Sequence, residues 1–156
     1  MEDVALQHLA KFNGQLVCTF VDASTFSFYP GKNLGAMVDA VAIVTNDLDL
    51  ANKMSMFARH GGLKKGDHKI EGINSRMDCI QAAILSVKML KIKEWTSLRQ
   101  VKANRYSKYL KGIDGLSIPV VASESECVWH VYVIKAEGRD ELAACFDPRG
   151  VQTDIN

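Results

Sequence analysis

Ser27-Phe28-Tyr29-Pro30-Gly31-Lys32-Asn33-Leu34-Gly35-Ala36, followed at residues 40–45 by Ala-Val-Ala-Ile-Val-Thr, decides the reading of this 156-residue chain. The aromatic and hydroxyl residues from Thr25 to Tyr29 predict a short strand that runs into a turn at Pro30-Gly31. Lys32 sits on that turn, between a proline of fixed φ and small residues. A lysine so held can be a covalent nucleophile: its amine attacks a carbonyl once neutral, and burial or a neighbouring cation favours the neutral form. On spacing alone, a surface lysine in a turn is the plainer reading. Residues Ala40 to Thr45 are continuously apolar and rich in β-branched members, which predicts a strand buried on both faces.

Working outward, Asn46-Asp47 ends the strand and offers a helix cap. Leu50, Met54 and Phe57 recur at helical spacing, so a helix is expected from about Leu48 to His60, closed by Gly61-Gly62. A lysine-rich loop from Lys64 to Lys69 reads as a solvated connection, without the interleaved aromatics of a nucleic-acid surface. Beyond it, Asn74 or Ser75 is expected to cap a long helix whose apolar stripe runs to about Leu110, with a break near Lys91. Leu116 to Val121 and Val128 to Lys135 read as strands, Asp140 to Phe146 as a short helix, and Gly150 as the start of a final turn. The class is α/β, with a boundary between Lys111 and Gly115.

Bulk properties exclude several functions. The 19 basic and 18 acidic residues nearly cancel, so no net field draws the chain to nucleic acid or an anionic membrane. The apolar runs are far shorter than the ~20 residues a membrane helix needs. The start, Met-Glu-Asp-Val-Ala, lacks the basic and apolar parts of a secretory signal, so a cytoplasmic location is the default. Cys18, Cys79, Cys127 and Cys145 form no paired or zinc spacing and are expected as reduced, mostly buried thiols. His8, His60, His68 and His130 show no metal-ligand spacing.

The segment from Ser27 to Ala36, with Asp39 and Ala42-Ile43-Val44-Thr45-Asn46-Asp47, is similar to the active-site segment of the DegT/StrS family of sugar aminotransferases. The resemblance continues through Arg59-His60-Gly61, Gly72-Ile73-Asn74-Ser75-Arg76-Met77-Asp78 with Gln81-Ala82-Ala83, Trp129-His130-Val131-Tyr132-Val133-Ile134 and Arg139-Asp140-Glu141-Leu142. It covers essentially the whole chain. It implies part of the large domain of a pyridoxal-phosphate-dependent transferase (fold type I) plus the start of the small C-terminal domain, divided as residues 1–112 and 113–156. It also implies a homodimer, pyridoxal 5'-phosphate as cofactor, and amino transfer from an amino acid, commonly glutamate, to a keto-sugar nucleotide.

Carried over by position, Lys32 is the lysine that forms the Schiff base and then moves the proton. Ser27 matches the serine that donates to the cofactor phosphate. Asp3, in Glu2-Asp3-Val4-Ala5, matches the aspartate that pairs with the protonated pyridine nitrogen, and Asn74 lies in the segment that reaches toward the phosphate of the other subunit. Without the resemblance, Asp3 reads as a capping carboxylate, Ser27 as an ordinary strand hydroxyl, and Asn74 with Arg76 as a helix start.

Departures from the family pattern are also legible. Family members are more than twice this length, so a central fragment is expected, without the helix start that holds the phosphate and the aromatic residue that stacks on the pyridine. Val38 and Val41 stand where the family has glycines; if either requires positive φ, the strain is about 1–3 kcal/mol. Leu6 replaces a glutamine near the cofactor, and Leu9, Cys18 and Val21 replace further glycines. An alternative follows: a non-catalytic relic that serves as a dimerisation or interaction module. A shortened sheet should in either case associate with itself or a partner.

Overall fold

The computed structural model describes residues 1–155. Its centre is a sheet ordered β1-β4-β5, built from Glu2–Asp3 (β1), Ala23–Ser27 (β4) and Val41–Thr45 (β5). β1 runs parallel to β4 with Asp3 opposite Thr25, and β5 runs antiparallel to β4 with Val41 opposite Ser27. A second sheet joins Lys11–Phe12 (β2), Gln15–Leu16 (β3) and Ser125–Glu126 (β7), so that residues far apart in sequence meet; Lys11 Nζ and Glu126 Oε2 pair at 3.0 Å across it. Leu116–Ser117 (β6) and Lys135–Ala136 (β8) form a small antiparallel pair.

Four helices complete the described residues: Leu48–Phe57 (α1), Cys79–Met89 (α2), Ile92–Leu110 (α3) and Arg139–Phe146 (α4), followed by a 3-10 turn over Asp147–Arg149 that ends at Gly150. Asp47 caps α1 as its sequence promises, accepting from the N–H groups of Asp49 and Leu50 at 2.9 and 3.0 Å. The long helical region does break at Leu90-Lys91, where the last N–H groups turn back to carbonyls three residues earlier.

Several expectations need correction. β4 covers Ala23–Ser27 rather than Thr25 to Tyr29: Phe28 N–H still reaches Ala40 O, but Tyr29 N–H turns to Ser27 Oγ instead of to β5. α1 ends at Phe57, since the carbonyls of Phe57 and Ala58 are claimed by Ile73 and Ser75 N–H groups instead of continuing a helix. For the same reason neither Asn74 nor Ser75 caps a helix: α2 begins at Cys79 after Asp78, and Asn74 Oδ1 accepts from Arg76 Nε at 3.0 Å. The strand predicted over Leu116 to Val121 is confined to Leu116–Ser117, ahead of Pro119, which has no N–H for a ladder.

No strand forms over Val128 to Ile134, where Trp129 takes a left-handed φ of 53° and the carbonyls of Cys127 to His130 are bonded to side chains. β5 is not buried on both faces: Val41, Ile43 and Val44 are exposed. The cysteines are free thiols, but Cys79 and Cys145 are exposed and the other two half-buried, not mostly buried.

The core lies where the segment after β4 meets the α2–α3 junction. Phe28, Leu34, Ala36 and Ala40 pack there with Leu85 and Ile92, and Leu9, Phe26, Ala42 and Met77 line its margin. Removing this apolar surface from water is the main term fixing the Lys32 segment against the helices.

Candidate active site

Lys32 rides on a loop that closes on itself. Phe28 N–H donates to Ala40 O and Ala36 N–H to Phe28 O, both at 2.7 Å, while Lys32 N–H donates to Tyr29 O at 2.8 Å. Gly35 permits the closure, because a Cβ at that position would collide with the carbonyl of Pro30.

Other elements then clamp the loop. Lys88 Nζ on α2 donates to Gly35 O at 2.6 Å, Gln81 Oε1 on α2 accepts from Met37 N–H at 2.9 Å, and Asn33 Nδ2 donates to Val128 O at 3.1 Å. With Leu34 and Ala36 each only 2% exposed, the backbone beneath Lys32 has little freedom.

The Lys32 side chain is half-buried. None of the ion pairs among the described residues, Lys11–Glu126, Lys69–Asp67, Lys91–Glu94 and Arg139–Asp140, includes it. Two histidines feel its charge. His8 is 5% exposed between the rings of Phe26 and Phe28, each centroid 5.4 Å away, and neither of its ring nitrogens has a hydrogen-bond partner. Burial first, then His130 and Lys32, hold His8 below the usual imidazole range. His130 is lowered as well, by burial, then Lys32, then Arg99. Both rings are therefore held toward the neutral form, a property that spacing along the chain could not disclose.

The other residues singled out from sequence are divided. Ser27 ends β4 opposite Val41 of β5, and Asp3 ends β1 opposite Thr25, two residues before Ser27, so both lie at the same end of the central sheet. Ser27 Oγ accepts from Tyr29 N–H at 3.4 Å, which leaves its own proton free to donate. Asp3 is exposed, with Oδ1 accepting from Ala5 N–H at 3.0 Å. Asn74 lies apart: it bridges to Arg59 and lines a hollow of about 310 Å³ with Asp39, Val41, Arg76 and Asp78, a hollow that Lys32, Asp3 and Ser27 do not line.

Sequence reasoning missed Asn33, Gln81 and Lys88 as the fixings of the loop. Their contacts span 95, 44 and 53 residues, so only Asn33, directly after the lysine, carried a local signal. Among the described residues no group of three or more His, Cys, Asp or Glu gathers to hold a metal. No helix there is long and apolar enough to cross a membrane.

The strain feared at Val38 and Val41 does not arise, because neither has positive φ. It falls instead on Leu9 and Cys18, at 71° and 78°, two of the three other places where glycines are replaced; Val21, the third, has no positive φ. A half-buried amine on a rigid turn, a serine with its hydroxyl proton free and a carboxylate on the adjoining strand suit an aldehyde that carries a phosphate and a ring nitrogen. Leu6, by contrast, offers no polar atom in the glutamine's place.

The sequence matches the DegT/DnrJ/EryC1/StrS aminotransferase family over residues 1–156. A dTDP-3-amino-3,4,6-trideoxy-alpha-D-glucose transaminase from Streptomyces venezuelae is 38% identical over 153 residues, 98% of this chain and 40% of the relative. A UDP-2-acetamido-2-deoxy-3-oxo-D-glucuronate aminotransferase from Pseudomonas aeruginosa is 34% identical over 156 residues, 100% of this chain and 43% of the relative. The X-ray structure of S. venezuelae DesV in complex with a ketimine intermediate superposes with a TM-score of 0.92 at 37% identity, covering 96% of this chain and 40% of that one. The chain thus spans about 40% of the length of the proteins it matches, and its mixed helices and strands are a partial α/β, fold type I unit. By the match over its full length, the chain belongs to the DegT/DnrJ/EryC1/StrS aminotransferase family.

Proposed function

We propose that this chain is the Lys32-bearing portion of a pyridoxal-5'-phosphate-dependent aminotransferase that moves an amino group from an amino acid, glutamate, to a keto-sugar nucleotide for glycan precursors. The observation that carries it is the Lys32 loop itself, fixed by Asn33, Gln81 and Lys88, with Lys32 half-buried and outside the ion pairs among the described residues. Residues 1–112 then form the C-terminal half of the cofactor-binding domain and 113–156 the beginning of the small domain. The reading includes a cytoplasmic homodimer in which Asn74 faces the phosphate site of the other subunit.

In this reading the cofactor supplies an electron sink that makes an amino acid's α-proton removable. Lys32 would anchor it and, when released from it, carry the proton as general base. Asp3 would hold a proton on the ring nitrogen, and Ser27 would donate its free hydroxyl to the phosphate. The central sheet sets Asp3 and Ser27 relative to each other, so their roles depend on the β1–β4 register.

Titrating the purified chain with the cofactor aldehyde tests this. A new absorbance band that saturates in the wild type and is absent in Lys32→Ala is expected; identical spectra for the two would refute the assignment.

A second reading, a non-catalytic association module, draws on the apolar side chains of Val41, Ile43, Ile80, Val87 and Leu90, all exposed. It requires association that Lys32→Ala leaves unchanged together with no cofactor spectrum in the wild type.

A further inference from the structure

The lysine-rich stretch after α1 is folded back on itself. Ile73 N–H donates to Phe57 O at 2.7 Å and His60 N–H to Ile73 O at 3.0 Å, and Arg59 bridges to Asn74, so the two ends of the stretch run side by side. Above that base Lys69 N–H donates to Gly61 O at 2.8 Å. Gly61 and Gly62 are buried, and a Cβ on either would collide with a carbonyl oxygen, that of Ile70 or of Asp67. The basic side chains therefore stand on a closed backbone frame.

That frame gathers cations around one space. Arg59, His60, Lys64, Lys65, His68 and Arg76 line a hollow of about 440 Å³, and no carboxylate lines it. Asp67 pairs instead with Lys69 at 3.5 Å, and Arg59, Lys64, Lys65 and Arg76 belong to no ion pair among the described residues. Two of the side chains are also oriented. Arg76 Nε donates to Asn74 Oδ1 at 3.0 Å, and His68 Nδ1 lies 2.6 Å from His60 O. A carbonyl has no proton to give, so Nδ1 carries it and Nε2 is the polar atom that remains.

Permanent cations around one space repel each other until something negative enters it. A single phosphate monoester brings a charge of about −1.5 to −2, which falls short of the two arginines and two lysines; two linked phosphates come closer to matching them. The volume lies within the ~300–1,000 Å³ usual for small-molecule sites.

We propose that this hollow binds a diphosphate group, borne by a nucleotide or free as pyrophosphate. Arg59 and Arg76 supply forked donors, Lys64 and Lys65 supply compact charges, and Leu63 in the same lining offers an apolar contact to whatever the diphosphate carries. Lys32, Ser27 and Asp3 do not line it, so it is separate from the site proposed for the cofactor; Arg76 also lines the neighbouring hollow that contains Asn74. A sugar nucleotide as the bearer rests on the amino-transfer reading, whereas recognition of the diphosphate does not.

Calorimetric titration of the full chain with inorganic pyrophosphate tests the proposal. One saturable site is expected, with orthophosphate bound more weakly. Lys64→Gln combined with Lys65→Gln, and separately Arg76→Gln, should weaken pyrophosphate by about tenfold or more. Lys93→Gln combined with Lys102→Gln removes the same charge from exposed positions on α3, outside the hollow, and should change the affinity by less than about twofold. All these positions are exposed, so the variants should fold. Absence of saturable binding, or equal weakening by the two lysine pairs, would overturn the proposal.

Uridine diphosphate distinguishes the sources: displacement of pyrophosphate supports a nucleotide as bearer, and failure to displace it supports free pyrophosphate, the diphosphate site standing in both cases. Loss of pyrophosphate binding with a normal Lys32 cofactor spectrum removes this inference alone. A missing cofactor spectrum with pyrophosphate still bound removes the Lys32 reading and leaves the hollow.

Discussion

The loop that carries Lys32 and the strand that follows it are neighbours in sequence and opposites in packing. In the loop, Leu34 and Ala36 are 2% exposed and the backbone is tied to α2 and to Val128; in β5, Val41 and Ile43 are 63% and 49% exposed. Both segments carry apolar residues. What separates them is that α2 and the α2–α3 junction cover the loop, whereas in β5 only Ala42 reaches the margin of that core and Val41, Ile43 and Val44 stay exposed. Apolar content in a strand states what its surroundings should be, whereas burial depends on whether another element supplies them.

Substitutions on the two sides should therefore behave differently. Leu85→Ala, which opens a cavity under the Lys32 loop, should cost about 2–5 kcal/mol in chemical denaturation. Gly35→Ala should follow at about 1–3 kcal/mol, because the added methyl drives the turn away from Pro30, and it should impair reaction at Lys32 more than its stability cost explains.

His8 provides a pH test. Its folded pKa is lowered, so the unfolded chain binds more protons as pH falls through about 6.5, and folding stability must decline in that direction. His8→Phe should flatten this decline and add about 1 kcal/mol at neutral pH by removing ring nitrogens that have no partner; denaturation at several pH values would show a parallel decline if the idea is wrong.

Cys18→Gly, relieving a left-handed φ of 78°, should gain about 0.5–1 kcal/mol, after the entropy of glycine is offset against the strain. Ile43→Lys on the bare strand should change stability by no more than about 0.5 kcal/mol yet weaken self-association, read by sedimentation. If Ile43→Lys costs as much as Leu85→Ala, the contrast between the two regions fails.

The sequence disclosed what is local. Asp47 as a cap, the break at Lys91 and the turn at Pro30-Gly31 are all set by residues a few positions apart. It failed where distant partners intervene. Val128 to Ile134 alternates like a strand, but Gln100, Asn33 and Arg99 take the carbonyls at its start and Trp129 turns left-handed. Strain was likewise sought at Val38 and Val41 although Leu9 and Cys18 bear it, because which replaced glycine needs positive φ is a matter of backbone path and not of composition. The neutral pair His8 and His130 was invisible for the same reason: a folded core, not a spacing, puts them near one lysine.

The central claim is that the clamped loop presents one particular amine to an aldehyde. Borohydride reduction of the wild-type chain with pyridoxal 5'-phosphate, followed by digestion and mass mapping, reads it directly. The account predicts a single dominant adduct on the peptide that contains Lys32; label spread over surface lysines such as Lys64 and Lys65, with Lys32 unmodified, would contradict it.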